Sequence, residues 1–169
     1  HNIATNWRAS YIPNGSPGTV DNLVTITLGS LSHVYDGAQK AATYTTTPSG
    51  MGVNLTYNGS TTAPADGGSY TVLATVSDPA FEGSSTATFT IAPASQTLVF
   101  APPASIPFDG PPLTLGATAS SGLTASFTLV SGPATLSGAT LTPTGAGDVV
   151  VRASQSGNVN HHAAPEVVA

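Results

Sequence analysis

Cysteine is absent from these 169 residues, so no disulfide staples the fold and no thiolate serves as metal ligand or nucleophile. Small secreted eukaryotic domains usually carry disulfides. Their absence points to a bacterial exported protein whose repeats support one another by packing. Charge is scarce as well: 7% of residues are charged, against about 25% in an average globular domain. Only Arg8, Lys40 and Arg152 are basic, within a net charge of −5. That balance excludes the electrostatic footprint of a nucleic-acid binder, and an anionic membrane surface repels it. No apolar run approaches the roughly 20 residues that span a bilayer, so no membrane insertion is expected. No window keeps a helical apolar period over three turns, and no glycine-rich phosphate loop opens a helix.

What fills the chain instead is Ser and Thr, about a quarter of all residues, a bias that suits the exposed faces of strands. Fourteen Pro and eighteen Gly punctuate it every few residues. All-β is the class that fits: two tandem small β-sandwich, Ig-like domains, mostly antiparallel, preceded by an extended N-terminal strand. The sequence opens on His1, so it reads as an excerpt of a longer or processed protein with any export signal upstream.

The clearest element is a hairpin over residues 67–91. Tyr70, Val72, Ala74 and Val76 alternate with polar neighbours, and Ala87, Phe89 and Ile91 do so after a turn at Asp78–Gly83; this is the period of strands with one buried face. Phe81 in that turn is placed to fold back over the edge of the core.

Residues 1–22 form a separate tail. Ile3, Thr5, Trp7, Ala9 and Tyr11 share one largely apolar face, a strand in search of a sheet, and Pro13–Gly18 breaks it. A first domain is expected at 23–93. Val24, Ile26 and Leu28 open it, then Ala42, Tyr44 and Thr46 share a face, then Val53, Leu55 and Tyr57, with Asn58-Gly59 as a turn signal. A second domain is expected at 94–169. Its strand faces are Leu98 with Phe100, Leu113 through Ala119 at alternate positions, Leu123 through Leu129 likewise, and Val149 with Val151 and Ala153. Cores of about 70 residues are marginal alone, so a tightly packed joint between the domains is expected.

The halves repeat a plan. Val34-Tyr35-Asp36-Gly37 answers to Pro107-Phe108-Asp109-Gly110, and Gly68-Ser69-Tyr70-Thr71-Val72-Leu73-Ala74 to Gly147-Asp148-Val149-Val150-Val151-Arg152-Ala153.

Several motifs resemble a known family. Val34-Tyr35-Asp36-Gly37-Ala38-Gln39-Lys40, Thr45-Thr46-Thr47-Pro48, Leu55-Thr56-Tyr57-Asn58-Gly59-Ser60 and Gly68-Ser69-Tyr70-Thr71-Val72 look like an MBG-type domain, a small β repeat of very large bacterial surface and secreted proteins. Residues 95–168 resemble the bacterial Ig-like repeat that commonly follows it, through Gln96-Thr97-Leu98-Val99-Phe100, Ala119-Ser120-Ser121-Gly122-Leu123, Ser131-Gly132-Pro133-Ala134-Thr135 and Val151-Arg152-Ala153-Ser154-Gln155. Asn6-Trp7-Arg8-Ala9-Ser10 with Gly15-Ser16-Pro17-Gly18 resembles the closing strand of a lamin-tail-like sandwich. These resemblances imply an extracellular, cell-surface location, a structural or adhesive role, and no catalytic residues. Two departures stand out: His161-His162 where an aromatic is usual, and a second domain that stops one strand short of the usual repeat.

No residue pattern points to chemistry. His161 and His162 are adjacent and face opposite sides of a strand, so they cannot grip one metal together; a packed His161 and an exposed His162 are expected. Asp36-Gly37 and Asp109-Gly110 read as turns rather than calcium ligands, because calcium wants six to eight oxygens. Lys40, the only lysine, would need Asn54 or Asn58 and a buried Glu82 beside it to form an isopeptide crosslink; an edge-strand surface lysine is expected instead.

No catalytic residue, cofactor or metal is expected, and the protein reads as no enzyme. The function expected is a non-catalytic spacer or fibre-forming repeat. Its partners are copies of itself or neighbouring domains of the same polypeptide, with Ile3–Tyr11 as an inter-subunit strand donated head to tail. The alternative is an accessory module binding a surface glycan through exposed aromatics such as Trp7, Tyr11 and Tyr57.

Overall fold

A computed structural model describes residues 22–169. Ile3, Thr5, Trp7, Ala9 and Tyr11 of the expected donor strand therefore lie outside the described residues. Among the described residues there is no helix, and the strands pair mostly antiparallel, as the period-two pattern requires. They form two compact units. One holds residues 22–33, Gln39–Pro64 and Ser69–Thr90; the other holds Val34–Ala38, Ala65–Gly68 and Ile91–Ala169.

In the first unit, β1 (Thr25–Gly29) and β3 (Thr43–Thr47) make a two-stranded sheet, Thr25 opposite Thr47 and Gly29 opposite Thr43. The strands β2 (Ser32–Val34), β4 (Val53–Tyr57), β5 (Gly68–Val76) and β6 (Ser84–Ala92) make a second sheet in the order β2-β6-β5-β4. Alternation decides what is buried. Along β5, Val72 and Ala74 are fully enclosed while Leu73 between them is exposed. Along β6, Phe89 is fully enclosed between Thr88 and Thr90.

Phe89 is the centre of an aromatic cluster. The rings of His33, Tyr57 and Tyr70 lie 5.2, 5.4 and 6.5 Å from it, the two tyrosines edge-on, which is the arrangement that ring quadrupoles favour. Tyr57 is itself buried, and its hydroxyl oxygen accepts the Ala42 N–H at 2.8 Å. A phenol whose polar end is bonded can be buried without leaving an orphaned group. Val24, Ile26 and Ala74 form a second cluster, and Phe81 packs against it from the β5–β6 connection. There the Asp78 carbonyl accepts the Phe81 N–H at 3.1 Å and the Asp78 carboxylate accepts the Ala80 N–H at 2.9 Å.

At Asn58-Gly59 both residues have positive φ, 48° and 87°, and Tyr57 and Ser60 exchange backbone bonds of 2.7 and 2.9 Å. This is the two-residue hairpin turn whose twist matches that of strands. Tyr44 departs from expectation: Ala42 is buried but Tyr44 is 40% exposed. Its strand pairs only with β1, and so narrow a sheet offers the ring little surface to cover it.

The second unit contains three small sheets. β7 (Leu98–Phe100) pairs with β9 (Ala117–Ala119); β8 (Leu113–Thr114), β11 (Ala134–Ser137) and β12 (Thr140–Pro143) order as β11-β12-β8; β10 (Ser126–Ser131), β13 (Val150–Ser154) and β14 (Val167–Val168) order as β10-β13-β14. Leu98, Phe100, Leu115, Leu141, Val151 and Ala153 meet in its core. The stretch Leu113–Ala119 is not one strand. It changes sheets at Leu115-Gly116, so β8 pairs with β12 and β9 with β7, a corner of the kind that bends in sandwiches provide. Within this unit Asn160 is a fixed point: its Oδ1 accepts the Gly67 N–H at 2.7 Å and its Nδ2 donates to Asp66 at 3.0 Å.

The glycines that the sequence pairs between the two halves compare as follows in backbone geometry. Gly68 and Gly147, paired by sequence, have positive φ values of 157° and 147°, Gly68 as the first residue of β5 and Gly147 in the turn ahead of β13. The aromatic-Asp-Gly pair diverges: Gly37 has a φ of 83°, whereas Gly110 is not in that region.

Phe89→Ala removes the ring on which three others rest and is expected to destabilise the first unit by about 3–5 kcal/mol. Leu73→Ala, on the opposite face of the same sheet, is expected to stay within about 0.5 kcal/mol. Urea unfolding of the full chain checks both, and comparable losses for the two would contradict the assignment of faces.

Candidate functional site

Two features of the second unit stand out from ordinary packing. The first is a pair of buried amides. Gln96 precedes β7 in register with Leu98 and Phe100, and Gln155 follows β13 in register with Val151 and Ala153, so both side chains point inward; each is less than a tenth exposed. Gln96 Nε2 donates to Gln155 Oε1 at 2.5 Å and to the His162 carbonyl at 2.6 Å. Gln96 Oε1 accepts the Ser121 hydroxyl, and Gln155 Oε1 also accepts the Gly157 N–H at 2.7 Å. The network ties three separated stretches of chain, and both ends of the Gln96 amide and the Gln155 carbonyl oxygen find partners, which is what permits amides in an apolar core.

The second feature is a cavity of about 540 Å³. Ile106, Phe108, Leu113, Leu141, Val149 and Val151 give it an apolar wall, with Asp148 and Ala169 also in its lining. It lies beside the β13–β14 ladder, where Val151 and Ala169 exchange both backbone bonds, at 2.8 and 3.0 Å.

The residues singled out by sequence fall as follows. His161 is half-buried with its ring edge-on to Tyr35 at 5.2 Å, while His162 is exposed, so the two do face different environments. The His161 Nδ1 is buried without a hydrogen-bond partner. Asp36 makes the expected turn, its carboxylate accepting the Ala38 N–H at 2.9 Å. The crosslink constellation is not assembled: Glu82 is exposed, and Asn58 Oδ1 accepts the Thr71 N–H at 2.8 Å. Tyr57 is buried, which removes it as a stacking platform for sugar; Tyr44 and Phe108 are exposed aromatics instead. Among the described residues, no three His, Asp or Glu side chains gather as a metal site would need.

The amide network was not anticipated. Its signal was present: Gln96 and Gln155 each occupy the inward phase of an otherwise apolar alternation, where a polar side chain needs a partner.

Residues 24–95 match the family model of the MBG domain. The match does not reach residues 96–169, whose likeness to a bacterial Ig-like repeat rests on their motifs. No curated protein and no solved structure matches the chain.

Gln155→Leu removes one of the two acceptors of Gln96 Nε2 and leaves the Gly157 N–H without its partner, and is expected to destabilise the chain by about 1–3 kcal/mol. In the Gln96→Leu/Gln155→Leu double variant the total loss is expected to fall short of the sum of the singles by about 0.5 kcal/mol or more. Strict additivity in urea unfolding would mean that the amides do not act as a pair.

Proposed function

We propose, with the MBG match over residues 24–95 as premise, that this chain is a non-catalytic structural repeat segment of a larger bacterial surface or secreted protein. Its two β units serve as spacer or fibre modules, and their partners are neighbouring domains of the same polypeptide or further copies. The MBG match is the observation that carries this reading, since domains of that type are repeat modules of such proteins. Two physical features support it. The buried polar side chains Gln96 and Gln155 are committed to bonds within the fold, leaving them no role toward a ligand. The remaining surface is mostly hydroxyl and amide with few charges, which resists nonspecific electrostatic adhesion.

An antibody raised against the 169-residue chain is expected to label intact, unpermeabilised cells of the source organism or to find the antigen in their medium. Labelling seen only after lysis would overturn the extracellular assignment. A panel of soluble glycans is expected to show no binding that Tyr44→Ala or Phe108→Ala abolishes; a glycan bound through either ring would replace the spacer by the accessory-module reading.

A further inference from the structure

We infer that the free edge of β4 pairs with itself: two copies of this chain join β4 to β4, antiparallel about a two-fold axis at Asn54, and so merge their four-stranded sheets side by side. This contact rests on the structural-repeat reading, to which it adds the surface by which copies meet.

β4 closes one side of the sheet β2-β6-β5-β4. In an antiparallel ladder, successive residues turn their backbone groups to alternate sides. The Asn58 N–H donates to the Thr71 carbonyl and the Gly52 carbonyl accepts the Ser77 N–H, both at 2.9 Å, so Gly52, Asn54, Thr56 and Asn58 face β5. Val53, Leu55 and Tyr57 face away from it. Tyr57 commits its outward groups to Ser60, after which the chain bends at residues 61–62 and leaves the ladder. The N–H and C=O of Val53 and of Leu55 have no such partner among the described residues. Backbone groups placed in this way are a template for another strand.

Those four groups complement themselves in one register. With Asn54 opposite Asn54 of the second copy, Val53 stands opposite its Leu55 and Leu55 opposite its Val53, and each pair exchanges both backbone bonds. An axis at Leu55 or Thr56 calls on the Tyr57 groups already bonded to Ser60. An axis at Gly52 or Val53 calls on Met51, whose N–H donates to the Thr46 hydroxyl at 3.2 Å.

The side chains agree with the backbone. Val53 and Leu55 are half-buried and pack against the Val24, Ile26 and Ala74 cluster; cross-strand neighbours share a face, so in the pair each covers the open flank of the other and the apolar layer continues across the joint. Asn54 is exposed on the outer face, where the two amides meet with a donor and an acceptor each. The strand reads VNLTY. With no charge and no proline in it, self-pairing opposes no like charges and lacks no donor. Both copies present the same patch, so the contact is isologous and closes at a dimer.

The test uses the full chain. Sedimentation velocity over rising concentration is expected to show a monomer–dimer equilibrium that grows no further. Asn54→Lys sets two ammonium groups against each other on the exposed face and is expected to weaken the dimer by about tenfold or more at low salt. Asn54→Asp is expected to do the same, and mixing the two variants to restore dimers, since each lysine then meets a carboxylate; circular dichroism checks that both remain folded. The chain has no cysteine, so Asn54→Cys supplies a single thiol. Residues opposite one another without exchanging bonds come within about 4.5 Å between Cα atoms, inside the span of a disulfide, and mild oxidation is expected to link the dimer through it. Thr56→Cys lies roughly 13 Å along the strand from its symmetry mate and is expected to stay largely unlinked. A wild-type chain that stays monomeric overturns the inference, as does a dimer that Asn54→Lys leaves intact or that Thr56→Cys links as readily as Asn54→Cys. Surface labelling of intact cells stands apart from all of these, so a monomeric protein found on the cell surface refutes this contact and leaves the repeat-module reading in place.

Discussion

The hydrogen bonds between Gln96 and Gln155 are the constraint on which the second unit turns. Without a disulfide, the lead-in to β7, the turn after β9 and the return from β13 depend on backbone ladders and side-chain contacts to hold them in register. The Gln96 amide reaches all three through Ser121, the His162 carbonyl and Gln155. In a low-dielectric interior such bonds are strong and an unmade one is expensive, so the network specifies one arrangement of the chain rather than merely adding stability. The segment 155–164 inherits that order. Ala164 N–H reaches the Gln155 carbonyl at 2.9 Å, and Asn160 is thereby placed to bind Gly67 and Asp66.

The first unit solves the same problem with rings. Tyr57, Tyr70 and His33 converge on Phe89, and the one buried phenol is bonded to backbone. An aromatic cluster concentrates a large buried area in few residues, and the other buried positions of the unit are aliphatic: Val24, Ile26, Ala42, Val72 and Ala74. The two units thus rest on different central interactions.

Much of this was legible because side-chain direction in a strand has a period of two, and a period of two survives in sequence. The hairpin of β5 and β6, the inward set Val24–Ile26–Leu28, the Asn58-Gly59 turn and the inward faces of β10 and β13 could all be read from alternation and turn chemistry. What failed did so for nonlocal reasons. Leu113–Ala119 alternates without interruption, yet its two halves belong to different sheets, because pairing partners and not the strand's own pattern decide where a corner falls. The β11–β12 hairpin was passed over, its Leu136 and Leu141 separated by a Ser137–Thr140 turn that resembles the surrounding Ser/Thr-rich sequence. Tyr44 carries the right phase but lacks a neighbouring strand to cover it. The cavity was beyond sequence altogether, since a void is defined by residues from five separate stretches that converge only in three dimensions.

The scarcity of charge bears on the edges of these sheets. Exposed strand edges invite pairing with other chains, and many proteins guard them with lysine and other charged side chains. Here the strands at sheet edges are nearly free of charge, β2, β3, β4, β8, β10, β11 and β14 all being composed of apolar, hydroxyl, amide or imidazole residues. Brevity replaces charge as the guard: β2 has three residues and β8 has two, too few for a foreign strand to gain much by pairing along them. Such protection is local, and it weakens wherever an edge adjoins an apolar opening, because a side chain seated in the opening supplies the free energy that two or three backbone bonds lack.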